Sequence, residues 1–329
     1  MDPDLPTHPR IVYARQHNIS CFGLERLHPF DSCKYRSAWR LLHGRFGSLL
    51  RRCRIRTDRP ARTDELTLVH SPDYLRRLRE PRFLCRALEL PALARIPGPL
   101  LDHFVLRPMR WATRGTTLAA AAALQHGLAV NLGGGFHHAK PAAGEGFCIY
   151  ADVAIAVRSL QQQGTLPDHA RIVHIDLDAH QGNGVCHAFR DDRNAFLFDM
   201  YNGSIYPLAD RLARDRIDCD LPLQPGTGDE EYLDRLTTAL PGFLDSVGKS
   251  HPVRLAFYNA GTDPLAGDPL GGLDVSADGI LERDRFVIRQ LRDRGIPTVM
   301  VTSGGYTSGS DRLIADSVSH LLQQWGKRA

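Results

Sequence analysis

Short apolar runs and longer amphipathic ones take turns along this chain. Residues 128–132, 171–178, 195–198, 255–258 and 298–301 are four to eight residues long and read as strands, several of them nearly all apolar and so buried on both faces. Ile11-Val12-Tyr13 reads as a short first strand. Helical periodicity covers 32–53, 116–126, 151–163, 232–247, 277–295 and 311–325. Gly127 stops the second of these, and Ser71-Pro72-Asp73 opens a further helix with a capping serine and an early proline. Residues 65–70 read as strand-like or as a short connector, and the proline-rich stretch 91–108 as irregular. Strand–helix alternation with apolar strands predicts an α/β fold, a mostly parallel sheet flanked by helices. No internal repeat, low-complexity tract or linker interrupts the pattern, so residues 1–329 are expected to form one domain. In such a sheet, ligands bind where loops leave the C-terminal ends of the strands.

Composition narrows the class. With 43% hydrophobic and 24% charged residues, the chain is ordinary for a soluble globular protein. The net charge of +4 is small, and the arginines at 51, 52, 54, 56, 59 and 62 have no aromatic residues between them. They read as a solvated face, not a nucleic-acid surface. Seven scattered cysteines without a Cys-x-x-Cys pair argue against a disulfide framework and for a reducing compartment. The acidic, proline-broken start Met1-Asp2-Pro3-Asp4 does not read as a secretory signal. The most apolar stretch, 118–132, is broken by Gln125, His126 and Gly127 and is too short to span a bilayer. A cytoplasmic location is expected.

Four polar clusters follow predicted strands. In Asp176-Leu177-Asp178-Ala179-His180, strand alternation would put two carboxylates and an imidazole on one face. Such a group needs a strong compensating partner, and a divalent metal with oxygen and nitrogen ligands, zinc above all, supplies it. Asp263, after the strand at 255–258, is a candidate third ligand; an Asp-Pro there is by itself only a turn. Three protein ligands with one open position make a catalytic zinc site. Gly133-Gly134-Gly135-Phe136-His137-His138 follows another strand. No Gly-Lys-Ser/Thr or dinucleotide fingerprint accompanies the glycines, which argues against phosphate binding. Paired imidazoles suit general base and general acid work near neutral pH. Gly304-Gly305-Tyr306 closes the set, its phenol a candidate donor to a developing oxyanion.

In this order the four segments resemble the histone deacetylase family, whose relatives share the arginase-like α/β fold. The likeness also runs through Gly23-Leu24-Glu25, Leu27-His28-Pro29-Phe30-Asp31, Asp199-Met200-Tyr201-Asn202 and Ile205-Tyr206-Pro207, and it is greatest to the class IV branch. It implies one zinc ion on Asp178, His180 and Asp263, with His137 and His138 as the histidine pair. It further implies that Asp176 orients His137, that Asn183 orients His138 and leaves it less basic than an Asp would, and that Tyr306 steadies the oxyanion. Gly146, Phe147, Tyr206 and Leu270 match positions that wall an acyl-lysine tunnel. A structural potassium ion near the backbone of Asp176, Asp178, His180 and Met200 is a further family property.

The implied activity is removal of acyl groups, long-chain fatty acyl or acetyl, from Nε-acyl-lysine of a protein or peptide. A small acylated amine such as an acylpolyamine is an alternative substrate, and a non-catalytic acyl-lysine binder an alternative function. Two-metal arginase chemistry is disfavoured, since Gly182 and the Pro264-Leu265 pair stand where a second metal would need carboxylates. Sequence says nothing about oligomeric state.

Overall fold

A computed structural model describes residues 8–19 and 30–324. The Gly23–Glu25 and Leu27–Pro29 segments of the resemblance, and Trp325 at the end of the last expected helix, lie outside the described residues.

Eight strands form one sheet: β1 (Arg10–Val12), β2 (Arg54–Ile55), β3 (Leu128–Asn131), β4 (Arg171–Asp176), β5 (Ala195–Asn202), β6 (Cys219–Leu223), β7 (Val253–Asn259) and β8 (Thr298–Val301). Their order is β2-β1-β3-β8-β7-β4-β5-β6, and every neighbouring pair is parallel. Successive side chains on a strand point to opposite faces. Val173 and Ile175 of β4, Ala256 and Tyr258 of β7 and Met300 of β8 therefore join one buried cluster, under helices Lys34–Cys53, Asp229–Gly248, Ala277–Asp293 and Ser310–Gln324. Ile172, Leu255, Phe257, Val299 and Val301 face the other, under Arg107–His126, Asp152–Gln162 and Asn183–Ala188. This is the expected α/β sandwich.

Several elements differ from expectation for local reasons. Residues 65–70 contain no strand; Thr63–Leu66 is a short helix followed by a turn. The Glu65 carboxylate accepts from the Arg62 backbone and both Arg59 nitrogens, which closes the helical start. The stretch 91–108 is mostly helical. Pro91 and Pro99 each sit in the first turn of a helical segment, where a missing N–H costs nothing, and Pro108 follows directly on a π-helical turn, Asp102–Leu106, within a helix that runs on from Gly98. The helix expected at 116–126 accordingly begins at Arg107. Helix Lys34–Cys53 is kinked at Gly47, whose φ is 45°. Strands β2 and β6, with three charged or proline residues (Arg54, Asp220 and Pro222) among their seven, lack the apolar signature and escape detection at the sheet edges.

Strand β4 stops at Asp176, so Asp178 and His180 leave it in a loop and do not share a strand face with Asp176. Each carboxylate accepts the backbone N–H two residues on, Asp176 from Asp178 at 3.2 Å and Asp178 from His180 at 3.1 Å. These Asx-type turns curl the chain out of the sheet.

Candidate active site

The residues that end β3, β8, β7 and β4 are brought together because these four strands are neighbours in the sheet. Asn131, Val301, Asn259 and Asp176 stand in one row across it. The loops beyond that row carry His137 and His138, Tyr306, Asp263, and Asp178 with His180.

Asp178, His180 and Asp263 converge. Each offers a ligand atom, and these atoms lie within 4.8 Å of one another with all three residues buried. His180 Nδ1 is 3.1 Å from Asp178 Oδ1 and 3.0 Å from Asp263 Oδ2. The remaining oxygens are held by the protein: Asp178 Oδ2 accepts from Ser303 Oγ (2.8 Å) and Gly304 N (2.9 Å), and Asp263 Oδ1 from Ala179 N (3.0 Å). Gly304 is required at its position, since a Cβ there would run into the carboxylates of both Asp178 and Asp263. Burial and the charge of Asp178 push the Asp263 carboxyl up to about 7, although His180 beside it acts in the opposite direction. No second group of this kind occurs among the described residues.

Asp176 turns instead to the histidine pair. His137 Nδ1 donates to its Oδ2 at 2.9 Å, and Asn259 Nδ2 donates to its Oδ1 at 2.8 Å. Burial alone would lower the pKa of His137, but Asp176 and Asp178 outweigh it and raise it to about 9. His138, 4.0 Å away ring to ring, is treated oppositely. Its Nδ1 lies 2.8 Å from Asn183 Oδ1, a neutral partner. Burial, then the charges of His137 and His180, hold it well below the ordinary histidine value. The two neighbouring imidazoles are thus pushed in opposite directions, His137 up by its carboxylates and His138 down by burial.

The Tyr306 ring stands edge-on to His180 at 5.9 Å and to Phe147 at 6.2 Å. Burial, with Asp263 and Asp178 nearby, drives its pKa far above 10, so the phenol is a donor. A cavity of about 40 Å³ adjoins the pair, lined by His137, His138, Gly146, Phe147, Met109 and Tyr306 among others. Gly146 packs its Cα against the His138 ring, where a Cβ would collide. Phe147 has φ of 65°, a strained conformation for a bulky residue of the kind found at functional sites. Tyr206 and Leu270 do not line this cavity. Tyr206, 39% exposed, stands edge-on to His138 at 5.1 Å, and the backbone of Leu270 is held by Asp268, which also accepts from Tyr306 N.

Three supports went unread in the sequence. Lys34 is 2% exposed, and its Nζ donates to the carbonyls of Ser303, Gly304 and Gly305 at 2.6, 2.8 and 3.1 Å, fixing the turn that presents Tyr306. Arg283, fully buried, donates to the carbonyls of Leu177 and Gly261 and pairs with Asp284. Glu145 and Asp210 both reach the Asn183 amide. Composition held one signal: only four of the 41 basic residues are lysines, and two of those four, Lys34 and Lys140, belong to this site.

Comparison with known proteins gives one answer at the level of family. The histone deacetylase domain matches residues 28–323. "Histone deacetylase 2" of Arabidopsis thaliana is 40% identical over 314 residues, covering 95% of this chain and 79% of that protein. An uncharacterized protein of Picosynechococcus is 38% identical over 249 residues, 76% of this chain and 77% of its own. "Probable histone deacetylase 19" of Zea mays is 28% identical, and this chain spans 57% of its length. Among solved structures, the "HDA15 HD domain" aligns with a TM-score of 0.73 over 96% of this chain and 90% of that one; at 19% identity the likeness is one of fold.

Proposed function

The chain belongs to the histone deacetylase family of hydrolases, and on that premise we propose that it is a zinc-dependent enzyme that removes acyl groups from Nε-acyl-lysine. The observation that carries the proposal is the meeting of Asp178, His180 and Asp263 in a buried cleft beside two imidazoles, one bonded to a carboxylate and the other to an amide. The donor set fits zinc. Bonds of about 2.0–2.1 Å in a tetrahedron put neighbouring ligand atoms roughly 3.3 Å apart, close to the 3.0 and 3.1 Å separations about His180 Nδ1. A potassium ion belongs to the same reading. Asp199, buried and close to Asp176, keeps one carboxylate oxygen without a protein partner, an orphan that a cation would satisfy.

Zinc, when bound, polarises an amide carbonyl and acidifies water. The chain's own groups do the rest. His138, neutral and with Nδ1 turned to Asn183, accepts the proton of the attacking water at Nε2. His137, kept positive by Asp176, stabilises the negative charge that builds up, and one of the two imidazoles protonates the departing amine. The Tyr306 phenol donates to the oxyanion. Gly146 and Phe147 contact the acyl-lysine on one side, with Tyr206 and Leu270 as further contacts.

The class IV likeness adds a finer part, a long fatty acyl chain. The apolar lining by Phe30, Met109 and Phe147 supports it. Its volume of about 40 Å³ seats an acetyl-sized group or a few waters as it stands, so a longer chain has to displace those side chains. A cytoplasmic setting accords with free cysteines at every described position.

The test is a panel of acetyl-, octanoyl- and myristoyl-lysine peptides assayed with and without a chelator, alongside Tyr306→Phe. Chelator-sensitive hydrolysis is expected. Tyr306→Phe is expected to keep its zinc and to lose about 10²–10³-fold in kcat. Wild-type turnover by that variant would refute the role of the phenol, and metal-free hydrolysis would refute the proposal.

A further inference from the structure

His138 acts as a base at Nε2 only if its Nδ1 carries the proton. Its partner leaves that choice open, because an asparagine amide presents an acceptor oxygen or, turned by 180°, a donor nitrogen. Here the far side of the amide is enclosed by anions. Asn183 Nδ2 lies 2.5 Å from Glu145 Oε1 and 3.2 Å from Asp210 Oδ2. Lys140 Nζ bridges the same two oxygens, at 2.8 and 2.7 Å. His187 Nε2 adds a contact to Asp210 at 3.0 Å. Asn183, Glu145, Lys140 and Asp210 thus close a ring, in which both amide hydrogens go to carboxylates. Turning the amide would press its oxygen against two anions and leave a buried N–H pair facing the imidazole.

We infer that Glu145 and Asp210, held together by Lys140, are positioning residues that lock the Asn183 amide with its oxygen toward His138 and so fix His138 in its Nδ1–H tautomer. The inference rests on the reading of His138 as the base for its catalytic meaning, and on geometry alone for the tautomer. The ring draws on three separate stretches: the loop after β3 supplies Lys140 and Glu145, the helix Asn183–Ala188 supplies its first residue, and the loop after β5 supplies Asp210. It replaces the single carboxylate that His137 has in Asp176 with a neutral amide polarised from behind. His138 gains orientation without a charge at contact distance, which keeps its Nε2 lone pair available. Lysine suits the bridge, because a compact ammonium donates to two carboxylates that share one point.

The experiment combines tautomer spectroscopy with kinetics on the zinc-loaded protein. Selective ¹⁵N labelling of the 15 histidines, with His138 assigned by its loss in His138→Gln, reports which ring nitrogen carries the proton. The Nδ1–H form is expected in the wild type and a mixture of tautomers in E145Q/D210N. With an acetyl-lysine peptide, E145Q/D210N is expected to lose about tenfold in kcat with KM within twofold. Asn183→Asp alone brings a third carboxylate against Glu145 and Asp210, and an equal loss is expected. In the E145Q/D210N background the same Asn183→Asp cannot turn its group the wrong way, and kcat is expected to recover to within about threefold. A ring that merely staples loops would give additive losses and an unchanged tautomer, and either result overturns the inference. The spectroscopic arm stands even if the wild type hydrolyses no acyl-lysine peptide, so failure of the deacylase reading is told apart from failure of this one.

Discussion

Charge is concentrated in two parts of this molecule and handled in opposite ways. Residues 51–114 carry fifteen arginines against seven acids, more excess charge than the whole chain has, and none of those arginines is buried. The cleft at the strand ends holds fewer charged groups, but Asp176, Asp178, His180, Asp263 and Lys34 are all buried, and each has fixed partners. Water does most of the work of stabilising the first set. In the second, fixed dipoles and charges have to do that work, because an unpaired ion in a low-dielectric interior costs several kcal/mol. The consequence of a substitution should therefore depend far more on location than on the charge removed.

The largest effect is expected at the proposed metal ligands. Asp263→Ala or His180→Ala should lose bound zinc and hydrolysis together, as metal analysis and peptide turnover on the same sample would reveal. A variant that keeps its metal, or loses metal without losing turnover, breaks the assignment. Next comes Arg283, fully buried and donating to the carbonyls of Leu177 and Gly261, one residue before Asp178 and two before Asp263. Arg283→Ala leaves Asp284 buried beside an empty space and two carbonyls unpaired. A loss of about 3–5 kcal/mol is expected in denaturant unfolding, with activity falling as the loops loosen. A change below 1 kcal/mol would mean that the interior is less demanding than the comparison holds.

Buried neutral histidines sharpen the point from the other side. Burial lowers His17 and His70 from their ordinary value near 6.5 to about 4. His17 is spent on Leu132 O and Thr57, and His70 accepts from Ala151 N. In both, the unfolded chain takes up a proton at a higher pH than the folded one. Their contribution to stability is complete above about 6.5 and declines as pH falls toward 4, by on the order of 3 kcal/mol for each at most. Unfolding midpoints measured between pH 7 and 4 should fall, and His70→Gln should flatten the decline in that window. An unchanged slope in the variant would remove His70 from this account.

What the sequence reveals follows the same division. The strands that carry the site are apolar runs ending in compact polar motifs, so the sheet centre and the residues Asp178, His180, Asp263, His137, His138 and Tyr306 are recognisable before any coordinates. Their neighbours are not. Lys34, Glu145 and Asp210 reach the site from separate segments, and nothing in the local pattern distinguishes them from surface charges. The edge strands β2 and β6 hide for a related reason: they lack the doubly buried apolar run. Pro91 and Pro99 mislead because a proline in a first turn looks in sequence like one that breaks a helix, and Pro108 because a π-helical turn before it lets the helix continue.

The smallest effect belongs to the arginine-rich segment. Arg76 pairs with Asp73 one turn earlier, with side chains 70% and 59% exposed. The gain from that pair is offset by the entropy of holding two mobile side chains and is screened by salt. Arg76→Ala should shift stability by less than about 0.5 kcal/mol, and a Tm measured in low and in high salt should show the small difference vanish in the latter. Arg79, exposed on the same segment, acts on Asp102 through its charge but makes no hydrogen-bonded ion pair among the described residues, so Arg79→Ala is a second control. If both variants cost more than 1 kcal/mol and the loss persists in high salt, the exposed arginines contribute through packing of their aliphatic stems. The contrast between cleft and surface would then be one of degree and not of kind.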